Sequence, residues 1–106
     1  MILEVAMLHV KHGEESAFEA AFREASPIIA SMNGYRGHRL HRCLEADSKY
    51  LLTAEWDRLE DHTEGFRGSP EYQQWRALLH HFYDPFPVVE HYTTVLTVEP
   101  PPEENP

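Results

Sequence analysis

The run from Glu55-Trp56 through Phe66 to Ser69-Pro70-Glu71-Tyr72-Gln73-Gln74-Trp75 constrains the fold of this chain most. It joins an aromatic strand end, a short helical segment and a second helix in a fixed order. Ser69 offers a side-chain oxygen to the free N–H groups of a first helical turn. Pro70 brings the preset φ and missing N–H that the first helical position tolerates. A helix is therefore predicted from Ser69 to about Tyr83, ended by Asp84-Pro85-Phe86-Pro87, with Leu59 to Phe66 as a shorter helix before it.

The flanking patterns complete the order. Residues 2–10 carry apolar side chains on both parities, as a strand buried on two faces does. After Gly13, the residues Phe18, Ala21, Phe22, Ala25, Ile28, Ile29 and Met32 recur at helical spacing and Asn33-Gly34 supplies a stop. Pro27 falls inside this pattern and is expected to bend the helix or start a second segment. Residues 36–45 and 49–57 read as strands joined by Ala46-Asp47-Ser48, the first of them polar enough for a sheet edge. Val88 to Val98, rich in β-branched residues, is the last strand. The order β-α-β-β-α-β is the ferredoxin-like α+β arrangement: a four-stranded antiparallel sheet with helices on one face. The other face is then expected to meet a second copy, because a lone chain would expose an apolar patch; the alternative is a monomer whose proline tail folds across the sheet. Residues 1–98 form this domain, and the acidic proline-rich tail 99–106 stays extended or disordered unless a partner holds it.

Composition excludes several classes of partner. With 106 residues the chain is one domain with one core. Nine basic against eighteen acidic residues, a formal charge of -9, disfavour nucleic acid and anionic membrane. No apolar run spans a bilayer, and Glu4 within the first strand argues against a signal peptide, so a cytoplasmic protein is expected. The single cysteine, Cys43, allows no internal disulfide and reads as an inert thiol. Eight histidines invite a metal site, but their spacing disperses them: His38 and His41 point to opposite faces of a strand, and His80 and His81 diverge on a helix. No metal is expected.

The Trp56, Phe66 and Ser69-Pro70 succession resembles the antibiotic-biosynthesis monooxygenase (ABM) domain, a small dimeric α+β family. In that family a tryptophan closes the third strand and a Ser-Pro or Ser-Asp pair opens the helix lining the ligand pocket. The resemblance covers about residues 1–98 and implies a dimeric α+β barrel. It also implies oxygenation without flavin, haem or metal, in which a small aromatic phenol or hydroquinone acts as its own reductant toward molecular oxygen. No cofactor is then needed. The protein must bind the ring, remove a proton and shelter the anion.

Candidates for each task lie on the two helices. Tyr72, Trp75, Leu79, Phe82 and Tyr83 share one face of the second helix, which looks inward, and Arg76 lies at its margin. Phe66, Tyr72, Trp75 and Tyr83 are the expected substrate-binding residues. His62, one turn from Phe66, and His80, at the edge of the aromatic face, are the candidate bases. Arg76 either meets an anionic oxygen with its fork of donors or lies over aromatic rings, paired to Glu55 or Glu90. Haem degradation, found in relatives of the same fold, is disfavoured: Ala6, Phe66 and Arg76 stand where those proteins carry asparagine, tryptophan and a haem-binding histidine. The alternative from another class is a non-catalytic dimer that binds a small ligand or serves structure alone. A cavity closed by side chains, with Arg76 in a salt bridge and no inward histidine, would mark it.

Overall fold

The computed structural model of the chain describes residues 1–103. The end of the predicted tail, residues 104–106, lies outside the described residues. Strand β1 (Ile2–His9) leads into helix α1 (Glu15–Ala30), then strands β2 (Tyr35–Arg42) and β3 (Lys49–Trp56). A π-helical turn (Asp61–Phe66) precedes helix α2 (Pro70–Leu79), which tightens into a 3-10 turn (His80–Phe82) before strand β4 (Val89–Thr93). The sheet order is β2-β3-β1-β4 with every neighbour antiparallel. This is the ferredoxin-like α+β fold with its four-stranded antiparallel sheet, and the polar strand β2 does occupy an edge.

The pleat sorts β1 cleanly. Glu4, Ala6, Leu8 and Val10 are buried on the helix side, while Leu3 and Val5 are half-buried and Met7 and His9 exposed on the other. On the helix side, Phe18, Phe22, Ala25 and Ile29 of α1 meet Tyr50, Leu52, Ala54 and Trp56 of β3. Phe18 sits among the rings of Phe22, Tyr50 and Phe82 at centroid separations of 5.8, 5.0 and 5.7 Å. Burying each such side chain contributes about 1.5–3 kcal/mol.

Several boundaries differ from the sequence expectation. Strand β4 stops at Thr93 rather than Val98, because Thr93 pairs with Ile2 at the start of β1 and later residues have no strand opposite them. Val95, Leu96 and Val98 are consequently exposed. Helix α1 passes through Pro27 as one element, the proline on its exposed side, so no second segment begins there. Strand β2 ends at Arg42, three residues early, and the connection to β3 is the longer stretch 43–48. No helix among the described residues is long and apolar enough to cross a membrane.

Two glycines permit the close approaches that hold the π-helical turn. Gly34 has φ +79°, and a Cβ there would overlap the Asp61 carboxylate. A Cβ on Gly68 would come within 2.6 Å of the Glu64 carbonyl oxygen, which accepts the Gly68 N–H.

Candidate functional site

Between the sheet and the π-helical turn–α2 segment lies a cavity of about 440 Å³, within the range of small-molecule sites. Ala6, Leu8 and Leu52 form its apolar floor. The small side chain at Ala6 leaves the room that a larger residue on this strand would fill.

Ser69 fixes the wall. Its Oγ accepts the Tyr72 N–H at 3.1 Å, as an N-cap should, and donates to the Phe66 carbonyl at 2.6 Å. One side chain thus ties the end of the π-helical turn to the start of α2. Phe66, Tyr72, Trp75 and Tyr83, the four residues expected to bind a ring, all line the cavity. Phe66 packs edge-on against Tyr72 and Trp75 with centroids 5.2 and 5.7 Å away. Burial, with the neighbouring Tyr72 and Glu4, raises the Tyr83 phenol above its ordinary pKa, so it stays protonated and can donate a hydrogen bond.

The two candidate histidines both reach the cavity, in different settings. His62 is buried and stacked on Trp56, centroids 5.5 Å apart. Both its ring nitrogens face protein groups: Nδ1 lies 2.8 Å from His91 Nε2, and Nε2 lies 3.4 Å from Glu4 Oε1. Burial, followed by the charge of Arg67 and the neighbouring His91, lowers its pKa to about 3, so the ring is neutral near pH 7. His80 is half-buried against the rings of Tyr72 and Phe86. Burial and the Arg76 charge hold it below the ordinary histidine value. Arg76 itself is exposed, is absent from the cavity lining and makes no ion pair among the described residues.

Residues that the sequence reading did not assign complete the site. Glu4 is only 5% exposed, lines the cavity, and accepts the Trp56 Nε1–H at 3.0 Å on Oε1. Burial raises its pKa, against the opposing effects of the Trp56 hydrogen bond and the Arg67 charge. With Glu4 ionised, the neutral His62 presents Nε2–H toward Oε1 and a bare Nδ1 toward the Nε2–H of His91, an assignment that follows from donor and acceptor capacity. Register explains the meeting, since Glu4 and His91 are directly paired between β1 and β4. Arg67, at the end of the π-helical turn, provides the cation at the rim where Arg76 had been expected. Phe86 and Pro87 close another side from the connection after α2. Parity offered a signal for Glu4, because it shares the buried parity of Ala6, Leu8 and Val10. The contribution of Arg67 depends on the unusual wide turn and had no comparable signal. Among the described residues no three His, Cys, Asp or Glu side chains gather closely enough to hold a metal ion.

The family model described as "Antibiotic biosynthesis monooxygenase" matches residues 1–78. The "Uncharacterized protein YczJ" of Bacillus subtilis (strain 168) is 62% identical over 95 residues, covering 90% of this chain and all of that protein. A crystal structure of a "Putative antibiotic biosynthesis monooxygenase" from Bordetella bronchiseptica superposes with a TM-score of 0.86 at 36% identity, over 90% of this chain and 97% of that one. SnoaB, a cofactor-independent oxygenase from Streptomyces nogalater, shares the fold with a TM-score of 0.74 at 22% identity, over 92% and 95% of the two chains.

Proposed function

The chain belongs to the antibiotic biosynthesis monooxygenase family, and from that premise we propose that it is a homodimeric, cofactor-independent monooxygenase acting on a small phenol or hydroquinone. The observation that carries this reading is the cavity itself, which combines an aromatic wall, a buried carboxylate and a cationic rim. A flat ring bound against Phe66, Tyr72 and Trp75 is held by apolar contact and edge-on packing. Removal of its hydroxyl proton creates an electron-rich anion, which reduces oxygen directly. Arg67, exposed at the rim, and the Tyr83 hydroxyl offset the developing negative charge.

The atom balance is that of a monooxygenation. One atom of O2 enters the ring as a carbonyl, and the other leaves as water with the two hydrogens that the ring carbon and hydroxyl lose. The substrate supplies both electrons for that water. The open cavity, with His80 and the buried Glu4 in its lining, favours this reading over a closed structural dimer. The second copy covers the open sheet face around Leu3, Val5 and Met7.

Oxygen uptake by metal-stripped protein against a panel of hydroquinones, catechols and polycyclic phenols tests the proposal, with heat-denatured protein as the control. Saturable uptake above that control is expected. Uptake equal to the control across the panel, with a folded dimer, overturns the enzymatic reading in favour of ligand binding alone.

A further inference from the structure

We propose that Glu4 is the proton acceptor of the cavity, its free carboxylate oxygen taking the hydroxyl proton of the bound ring while Trp56 and His62 hold the other oxygen from behind. The identity of the ring as a phenol or hydroquinone rests on the oxygenase reading. The assignment of the base rests on the geometry.

A carboxylate on the buried face of a central strand is costly unless something holds it, and an apolar residue would pack there at lower cost. Here the support is one-sided. Trp56 Nε1 and His62 Nε2 both address Oε1, at 3.0 and 3.4 Å. Oε2 meets no donor among the described side chains, and Glu4 lines the cavity, so this second oxygen is the one presented to a ligand. The site therefore contains a carboxylate fixed at one oxygen and available at the other.

The other candidate bases are less suited to the task. With Glu4 ionised, the Nδ1 lone pair of His62 is turned to His91 and its Nε2–H points toward Glu4 Oε1, 3.4 Å away, which leaves no lone pair for a ligand. Its role is positional: it spans from Glu4 on β1 to His91 on β4 and stacks on Trp56. His80 sits at the margin, half-exposed and packed against Tyr72 and Phe86, where water competes for its ring nitrogens. Glu4 is enclosed and has a pKa raised by burial, which makes its anion a stronger base than an exposed carboxylate.

The step balances without an added reactant. The substrate O–H bond breaks, an O–H bond to Glu4 Oε2 forms, and the electron pair stays on the substrate oxygen. One negative charge moves from carboxylate to phenolate, so the cavity holds the same net charge before and after. Arg67, at the rim, attracts the anion in either position. The Trp56 N–H continues to donate to the protonated acid.

The test uses 4-nitrophenol, whose phenolate absorbs apart from its neutral form, added to the full chain at a pH where the free probe is neutral. Its methyl ether, 4-nitroanisole, carries no proton and reports occupancy of the cavity alone. Wild type is expected to bind both and to give bound nitrophenol a phenolate spectrum. Glu4→Gln keeps an oxygen for the Trp56 N–H and is expected to bind both while leaving nitrophenol neutral. Glu4→Asp, with its charge kept but withdrawn, is expected to restore part of the phenolate signal. His80→Ala, which removes the competing candidate base from the cavity lining, is expected to change the affinity for both probes alike while the nitrophenol that does bind is still ionised. A phenolate spectrum that persists in Glu4→Gln overturns the assignment, as does its loss in His80→Ala alone or a wild type that fails to bind or ionise the probe. Glu4-dependent ionisation without oxygen uptake from any hydroquinone would sustain the base and remove the oxygenase. Turnover that survives Glu4→Gln would do the reverse.

Discussion

The Nδ1 of His62 lies 2.8 Å from the Nε2 of His91, joining the π-helical turn to the last strand beneath the cavity. Through the other ring nitrogen the same histidine reaches Glu4. Three elements far apart in the chain thus meet through one buried imidazole. Replacing it with alanine should cost stability as well as geometry, because it removes the stacking on Trp56 and leaves polar partners without their contacts. His62→Ala is expected to lower unfolding stability by about 2–4 kcal/mol, read from urea denaturation. His91→Ala, at a half-buried position, should cost about 1 kcal/mol. Equal losses would contradict the central position of His62.

Acid should destabilise the fold, with His62 contributing strongly. Its folded pKa is about 3 against an ordinary value of 6.5, so between these limits the unfolded chain binds more protons. Its contribution is complete above about pH 6.5 and falls as pH drops toward 3. His38, His80 and His91 are also lowered and act in the same direction. Glu4 has the opposite sign, because a raised carboxyl pKa favours the native state only when it is protonated, and its charge lowers stability as pH rises above 4.5 toward its folded value. Unfolding free energy measured across this range should fall toward acid in wild type and fall less steeply in His62→Gln.

Ser69→Ala removes both the N-cap and the link to Phe66. A loss of about 1–2 kcal/mol is expected in chemical denaturation. A loss below about 0.3 kcal/mol would mean that the connection is held by the packing of Phe66 and Trp75 instead.

The two arginines should separate in kinetics. Arg67→Gln removes the cation at the cavity rim and is expected to reduce kcat/KM for a phenolic substrate by about tenfold to a hundredfold. Arg76→Ala is expected to change it by less than about threefold. The reverse order would return the anion-stabilising role to α2.

The proposed dimer rests on the uncovered sheet face. Val5 is half-buried there beside exposed Met7. Sedimentation should give a dimer for wild type and a monomer for Val5→Arg, since an unpaired charge would then face the interface. A compact wild-type monomer at micromolar concentration contradicts the assembly.

Much of the frame was readable from local chemistry. Ser69-Pro70 marked the start of α2, and the 3.6-residue pattern of Tyr72, Trp75 and Leu79 identified the inward face. The limits of β4 were not readable, because Thr94 to Val98 have good strand chemistry and stop pairing only where β1 begins. The cavity wall was legible because it lies on one helix face. The buried carboxylate was legible only in part: parity places Glu4 with Ala6 and Leu8, but it becomes a site residue only when β3 brings Trp56, the π-helical turn brings His62 and β4 brings His91 to the same point. Long-range register decides that meeting, and no single segment encodes it.

The most direct test of the account is turnover of a hydroquinone under 18O2 by metal-stripped protein, with the product analysed by mass spectrometry. One labelled oxygen atom per product molecule is expected, formed at a rate that falls sharply in Glu4→Gln. Product without label, or labelling at the same rate in heat-denatured protein, would contradict it.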